Sequence, residues 1–205
     1  MRKMKMMSCF LALWALVGSP LYAQEGSLRA VGGGRVAQRA AARILYMNPA
    51  DNSFPGQLVV HYGQPVWKAE YEDLGLFDKM TRGQVWRLGN NFWTVLDTNL
   101  PLRVSGRDIG VGSYYLGVHR SQDGDTWSLA FMNPDTIREA RLDASEIAKA
   151  TVDFTVPMSH SKTTDNVENL MITLEHPKDN PADVTLKVTW GNLKLTAPIE
   201  VKGLP

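Results

Sequence analysis

The chain has 205 residues, and its 22 basic residues nearly balance its 21 acidic residues. This balance, without a cluster of lysine and arginine, argues against a nucleic-acid partner, because phosphate recognition needs a basic surface. The only cysteine is Cys9, so the fold must be stabilised by a hydrophobic core rather than by a disulfide, and thiolate metal sites and iron–sulfur clusters are excluded.

The N-terminal segment predicts export. Residues 1–23 begin with three basic residues, continue with the apolar run from Phe10 to Val17 and end in small residues, as in a secretory signal peptide cleaved after Ala23. The apolar run is too short to remain as a membrane-spanning helix. We therefore expect a periplasmic or extracellular protein without stable membrane insertion. Cleavage leaves 19 basic and 21 acidic residues, a formal net charge of −2, and the oligomeric state stays open.

Residues 24–56 form a predicted leader that is flexible or partly helical. Gly32–Gly34 make a flexible joint, and the Ala- and Arg-rich stretch from Arg35 to Leu45 favours a short helix. Turn residues between Asn48 and Gly56 then mark a domain boundary. The leader is either a spacer that keeps the domain away from the export site or a basic arm that docks on an acidic partner.

From residue 57 to residue 205 the pattern changes to short β-rich segments separated by turn residues about every ten positions. The clearest are Val184–Trp190 and Leu193–Val201, in which apolar and polar residues alternate, as in strands with one buried face. Gly191 and Asn192 stand between them. This arrangement predicts a β-hairpin that closes the chain.

The same alternation predicts several further strands. They are Leu102–Val104, Ser113–Arg120, Trp127–Asn133, Val152–Val156 and Leu170–Leu174. Ser113–Arg120 and Trp127–Asn133 form a predicted hairpin through the Asp-Gly pair at Asp123. The segment Ser159–Asp165 is predicted to be a polar loop, and Pro134–Ala150 is predicted to be helical. The predicted fold is a single all-β domain, an antiparallel β-sandwich or flattened barrel of about nine strands with one or two short helices.

Four segments of this domain together make up a recognisable pattern. The most specific is Gly83–Asn91 (GQVWRLGNN), and the others are His61–Pro65 (HYGQP), Gly112–Leu116 (GSYYL) and Thr189–Ile199 (TWGNLKLTAPI). Over about residues 57–201 they resemble a family of exported bacterial proteins known as domain of unknown function 2911. The resemblance implies one compact exported β domain, and no established activity comes with it.

This chain departs from the family pattern at two positions. Gln64 replaces the usual arginine of the YGRP motif, and Asn90 replaces the usual alanine before the asparagine. The first change removes a planar cationic group that would grip a carboxylate or a carbonyl oxygen. A ligand role carried over from the family is therefore weakened at this position.

The segment QVWRLGNNFW (residues 84–93) contains the candidate ligand-binding residues Trp86, Arg87, Asn91 and Trp93. His61 and Tyr62 are further candidates, and Trp67, Arg82 and Tyr115 would join them if the neighbouring strands align. Flat aromatic faces stack on sugar rings or peptide groups, and planar polar groups fix their orientation. The ligand-binding hypothesis is therefore a carbohydrate or an extended peptide.

A structural interpretation explains most of the same residues without a ligand, and we prefer it. In a strand that begins at Val85, alternation places Trp86 in the core and Arg87 on the other face. Gly89 and Asn90 would then form a turn, because asparagine tolerates the left-handed conformation. We accordingly predict an exported, non-catalytic β-sandwich module of the cell envelope, with the ligand site as a hypothesis to test.

Two alternative functions stay open. One is an exported hydrolase that uses His61 or His119 as general base with a carboxylate from another strand, and the other is a structural protein-interaction component. No Gly-x-Ser-x-Gly or His-Glu-x-x-His motif is present, and Asp123–Asp125 suits a tight turn better than a calcium loop. We therefore predict no catalytic residues, no metal and no cofactor.

Overall fold

The computed structural model describes residues 38–204, so the predicted signal peptide, the Gly32–Gly34 joint and the start of the leader lie outside the described residues. The described part contains ten β-strands and four short helices. The strands are β1 (Arg39–Asn48), β2 (Ser53–Gly63), β3 (Val85–Arg87), β4 (Thr94–Thr98), β5 (Leu102–Val104), β6 (Arg107–Ile109), β7 (Gly112–Arg120), β8 (Trp127–Met132), β9 (Phe154–Glu175) and β10 (Asp183–Val201). The helices are α1 (Leu74–Thr81), α2 (Pro134–Glu139) and two 3₁₀ helices, Ala69–Glu72 and Ala144–Lys149.

The strands form one antiparallel sheet with the order β1-β2-β4-β7-β8-β9-β10-β5-β6. The short strand β3 pairs with β7 beyond the end of β4, so both lie along the same edge of β7. The sheet folds over itself and encloses the main core. Tyr62 on β2 reaches β9 across that core, and its hydroxyl donates to the Ile172 carbonyl at 3.2 Å. The predicted all-β, sandwich-like class is confirmed.

Alternation along the strands produces the two faces of the sheet. On β10, for example, Val184, Leu186 and Val188 are all buried in the main core, while the residues between them are more exposed. The opposite face of β7 and β8 is covered by α2 and the second 3₁₀ helix. A smaller hydrophobic cluster of Met132, Ile137 and Ile147 forms there.

One predicted hairpin, the predicted strand Leu102–Val104 and the helical stretch are confirmed. β7 and β8 pair antiparallel around a turn in which Gly124 has φ +85°, and β5 pairs with β6 through the Ser105–Gly106 turn. The helical stretch is two helices rather than one. Asp143 caps the second with a capping box, in which its side chain accepts from the backbone of the first turn.

The predicted helix over Arg35–Leu45 is wrong for its described part. From Arg39 onward the chain is strand β1, which pairs with β2 from Arg39 opposite Gly63 to Asn48 opposite Ser53. Burial of Ile44 and Tyr46 against the core outweighs the helix propensity of alanine and arginine. The turn residues at 49–52 connect two paired strands, so residues 39–56 belong to the sheet and not to a leader.

The predicted C-terminal hairpin is also wrong. β10 runs unbroken from Asp183 to Val201, and Gly191, with φ +56°, lies within a strand rather than in a turn. The predicted polar loop at Ser159–Asp165 is likewise part of a strand, the 22-residue β9. Both regions owe their turn-like composition to an irregular register between β9 and β10.

The first 3₁₀ helix and α1 were not predicted. Asp73 caps α1, and its carboxylate accepts from the backbone N–H of Leu76 at 2.9 Å. With only eight residues, α1 has too short a pattern to be distinguished from a loop by periodicity. Within residues 38–204, no helix is long and apolar enough to cross a membrane.

Candidate functional site

A bulge in β9 opens the sheet at one end of the main core. The register passes from Leu193 opposite Lys162 to Gly191 opposite Val167, so one β10 residue faces four residues of β9. Extra residues of this kind bend a strand away from its partner. The bulge therefore leaves room beside β10 for side chains from other parts of the chain.

The segment that follows β2 takes the place of β10 beside the bulge. The Trp67 amide donates to the Glu168 carbonyl at 2.6 Å, and the Leu170 amide donates to the Pro65 carbonyl at 3.0 Å. Gln64, the departure from the family pattern, donates its side-chain amide to the Leu170 carbonyl at 3.4 Å. This pairing carries Trp67 over the surface of β10.

Trp67 then packs directly on Gly191. A Cβ atom built on Gly191 would overlap the indole ring of Trp67, so the position requires glycine. The neighbouring Trp190 meets Trp67 edge to face, with ring centroids 5.1 Å apart. The Trp190 indole N–H donates to the Pro65 carbonyl at 2.9 Å, which fixes the ring beside the segment that follows β2.

Strand β3 adds Trp86 to the same group of rings. Its centroid lies 6.2 Å from that of Trp190 and 6.3 Å from that of Trp127, and Tyr71 of the first 3₁₀ helix lies 5.3 Å from Trp190. The indole N–H of Trp86 is buried and has no hydrogen-bond partner within residues 38–204. Buried donors in proteins nearly always have a partner, so this indole N–H is an unsatisfied donor within the group of rings.

Two glycines bring the bend after β3 against the end of β2. A Cβ atom on Gly63 would overlap the carbonyl oxygen of Asn90, and one on Gly89 would lie 2.9 Å from the Gly63 carbonyl oxygen. The left-handed residues of the bend are Gly89 (φ +128°) and Asn91 (φ +64°). The predicted turn is therefore present, but the left-handed asparagine is Asn91 rather than Asn90.

These segments enclose a pocket of about 410 Å³. Its lining residues are Pro65, Val66, Lys68, Tyr71, Trp86, Arg87, Gly89, Asn90 and Trp190. The walls are mostly apolar, and three of them are aromatic rings. We call it the Trp86 pocket and take it as the candidate ligand site, because its volume lies within the range of small-molecule sites.

A second, smaller pocket of about 90 Å³ lies on the other side of Tyr71. Arg120 makes most of its polar contacts. The guanidinium donates to the Asp78 carboxylate at 2.6 Å and to the Thr81 hydroxyl at 2.9 Å, and it lies over the Trp127 ring, 5.1 Å from the centroid. The hydrogen bond from Arg120 lowers the pKa of the Asp78 carboxyl. Since these polar groups already satisfy one another, we interpret this pocket as structural.

A larger cavity, about 580 Å³, lies between β7 and α2 and makes a weaker candidate. Its charged residues already have partners, since Arg138 is paired with Asp135 and Asp153 accepts from the Asn133 backbone. The ring of Phe154 on its wall is already covered by a guanidinium 4.0 Å away. Its aromatic lining is limited to Tyr114 and Phe154, whereas three rings line the Trp86 pocket.

The predicted site residues do not converge on one place. Trp86 and Arg87 border the Trp86 pocket, but Trp93 lies on the opposite face of the sheet, stacked on Tyr115 with centroids 4.9 Å apart. Arg87 alternates with Trp86 and so points toward the second 3₁₀ helix. Asn91 donates to the neighbouring Asn90 at 3.4 Å and does not line the pocket.

The remaining candidates on β2 are also separated. Tyr62 is buried in the core, 3% exposed, whereas His61 is exposed on the outer face. Within residues 38–204 neither the His61 imidazole nor the His119 imidazole has a hydrogen-bond partner. The one histidine side-chain hydrogen bond in this part of the chain joins His176 to the Pro177 carbonyl. The geometry required by the hydrolase alternative is therefore not found in this part of the chain. The same residues contain no cluster of three side chains that would hold a metal ion.

Several residues of the Trp86 pocket were not predicted as site residues from the sequence. Tyr71 and Lys68 lie in a segment without regular periodicity, and Trp190 was assigned to a terminal hairpin. Trp190 does belong to a segment that carries the family resemblance, as do Pro65 and Trp86. The joint presence of these segments in one pattern was the available signal that they meet in space.

Comparison with known proteins gives one match. A family model described as "Protein of unknown function (DUF2911)" matches residues 52–199. No curated protein matches the chain, and no solved structure does. The match spans all the segments that form the Trp86 pocket.

Proposed function

We propose that this chain, which belongs to the DUF2911 family, is an exported, non-catalytic binding module whose Trp86 pocket takes a carbohydrate. Export rests on the signal-like pattern of residues 1–23, and the periplasm or the extracellular space is its place of action. Binding rests on the pocket.

One observation carries the binding proposal: three segments far apart in the sequence build one pocket with aromatic walls. Pro65 comes from the segment that follows β2, Trp86 from β3 and Trp190 from β10. Stability alone would be served by packing these rings fully into the core. They border a cavity of about 410 Å³ instead.

The backbone around the pocket favours a sugar over an extended peptide. A peptide that adds to a sheet needs an unpaired strand edge, but the Pro65 carbonyl accepts from Leu170 and the Trp67 amide donates to Glu168. Proline itself has no N–H. The pocket lining instead includes the rings of Tyr71, Trp86 and Trp190, and flat aromatic rings suit the C–H faces of a sugar ring.

The test is binding of the purified protein to a glycan array, followed by calorimetric titration of the sugars that bind. The matched variants are Tyr71→Leu and Trp86→Phe, which keep apolar bulk but remove a flat ring or its N–H. Tyr71→Leu should weaken sugar binding about tenfold, as expected for loss of an aromatic stack, and Trp86→Phe should weaken it less, because a smaller ring still lines the pocket. The control is Trp93→Phe, on the opposite face of the sheet, and its affinity should equal that of the wild type.

Three results would contradict the proposal. The first is a wild-type protein that binds no glycan on the array. The second is equal loss of affinity in the Trp93→Phe control, which would mean a general effect on folding. The third is binding to a peptide array alone, which would support the extended-peptide alternative in place of a carbohydrate.

A further inference from the structure

The charged residues that line the Trp86 pocket are cations. Of its lining residues only Lys68 and Arg87 are charged, and both are cations. The smaller pocket across Tyr71 differs, because its lining includes the carboxylates of Glu72 and Asp78 as well as two cations. The lining of the Trp86 pocket is therefore cationic, while the carboxylates Glu70 and Asp143 lie behind Lys68 and Arg87.

Lys68 is positioned at the rim of the pocket above an aromatic wall. Its ammonium lies 5.9 Å from the centroid of the Tyr71 ring and 3.3 Å from the Glu70 carboxylate. The Lys68 and Glu70 side chains are 63% and 54% exposed, and an ion pair so open to water is weak. A ligand carboxylate that arrives with its ring on Tyr71 can therefore replace Glu70 as the partner of Lys68.

Arg87 adds a second positive charge to the same site. Within residues 38–204 its guanidinium has no ion-pair or hydrogen-bond partner, whereas Arg82, Arg103, Arg120 and Arg138 are each paired with a carboxylate. Hydrogen bonds from Ser145 lower the pKa of Asp143, and the charge of Arg87 contributes to that shift. Because Asp143 partly offsets the charge of this half-buried cation, Lys68 is the cation that would pair with a ligand in the pocket.

We propose that the ligand is an acidic glycan, in which a carboxylated sugar ring lies against Tyr71 and Trp86 and its carboxylate pairs with Lys68. This inference rests on the proposed function, since it specifies the sugar that the same pocket takes. It also assigns a role to Glu70, whose carboxylate competes with the ligand for the Lys68 ammonium.

The probes are two oligosaccharides of equal length, an oligogalacturonate and its carboxyl-reduced neutral counterpart. The wild-type protein should bind the acidic form about tenfold more tightly, as expected for one charge-assisted contact. Lys68→Gln should abolish this preference, and Glu70→Gln should strengthen acidic binding because it removes the competing carboxylate. Neither variant should change the affinity for the neutral form, and Lys79→Gln, an exposed lysine of α1 that does not line the pocket, is the matched control.

The outcomes separate this inference from the proposed function. Equal affinity for both probes, with Lys68→Gln unchanged, would overturn the acidic-glycan assignment and leave sugar binding intact. A preference for the acidic probe that survives Lys68→Gln, or that is lost equally in Lys79→Gln, would overturn the role of Lys68. If the wild-type protein binds neither these probes nor any other glycan, the proposed function itself fails.

Discussion

Replacing Gly191 by alanine tests whether Trp67 packs on β10. Gly191 has φ +56°, and a left-handed backbone costs a residue with a Cβ atom about 1–2 kcal/mol. The new methyl group would also overlap the Trp67 indole, and overpacking of this kind typically costs about 1–3 kcal/mol. We therefore expect Gly191→Ala to lower the free energy of unfolding by about 2–5 kcal/mol, the sum of these two costs.

A double-mutant cycle with Trp67→Ala separates the two costs. Without the indole ring only the backbone cost is left, so Gly191→Ala should then destabilise by about 1–2 kcal/mol. The coupling free energy between the two positions should be about 1–3 kcal/mol, measured by urea unfolding of all four proteins. Gly106→Ala is the control, because Gly106 has φ +87° and a Cβ there meets nothing within 4 Å. It should cost the same in both backgrounds.

A coupling free energy near zero would refute the reasoning. The backbone cost of Gly191→Ala is expected also if Gly191 were the turn of a terminal hairpin, so the single variant does not distinguish the two arrangements. Only a continuous β10 with Trp67 above it predicts that the two substitutions interact. The cycle thus tests the feature on which the position of the Trp86 pocket depends.

Two further predictions concern the supports of the pocket. Gly63→Ala should destabilise the protein by about 3 kcal/mol in thermal or urea unfolding, because its methyl group would overlap the Asn90 carbonyl; an unchanged stability would contradict the close approach. The pKa of Asp78 is lower in the folded protein because of Arg120, so its stabilisation is complete above the unfolded pKa of about 4 and is lost as pH falls through the folded pKa. The stability difference between wild type and Asp78→Asn should therefore narrow in acid, and a difference that is constant with pH would contradict the ion pair.

The sequence predicts the parts of this fold that depend on neighbouring residues. Alternation identified the buried faces of β7, β8 and β10, and the Asp-Gly pair identified the turn between β7 and β8, because both signals are local. The register of β9 against β10 is not local. Gly191 looks like a turn residue in the sequence. Position 191 requires glycine, however, because Trp67 packs on it, and Trp67 is more than a hundred positions away in the sequence.

The same distinction explains the error at β1. Its alanines and arginines favour a helix in isolation, and only the pairing with β2 makes a strand of them. For the site, the sequence identified Trp86 and its neighbours but grouped them with Trp93 and His61, which lie on the other side of the sheet. Lys68 and Tyr71 carry no periodic signal and were found only through the structure.

Trp86 combines the structural and the ligand-binding interpretations of QVWRLGNNFW in one side chain. Its ring packs against Trp127 inside the core and also borders the pocket, so its removal would destabilise the fold and destroy the site together. Trp86→Phe separates the two roles because the smaller ring retains most of the packing but has no N–H. If sugar affinity falls while the free energy of unfolding changes little, the indole ring serves the ligand, and if only stability falls, Trp86 is a core residue.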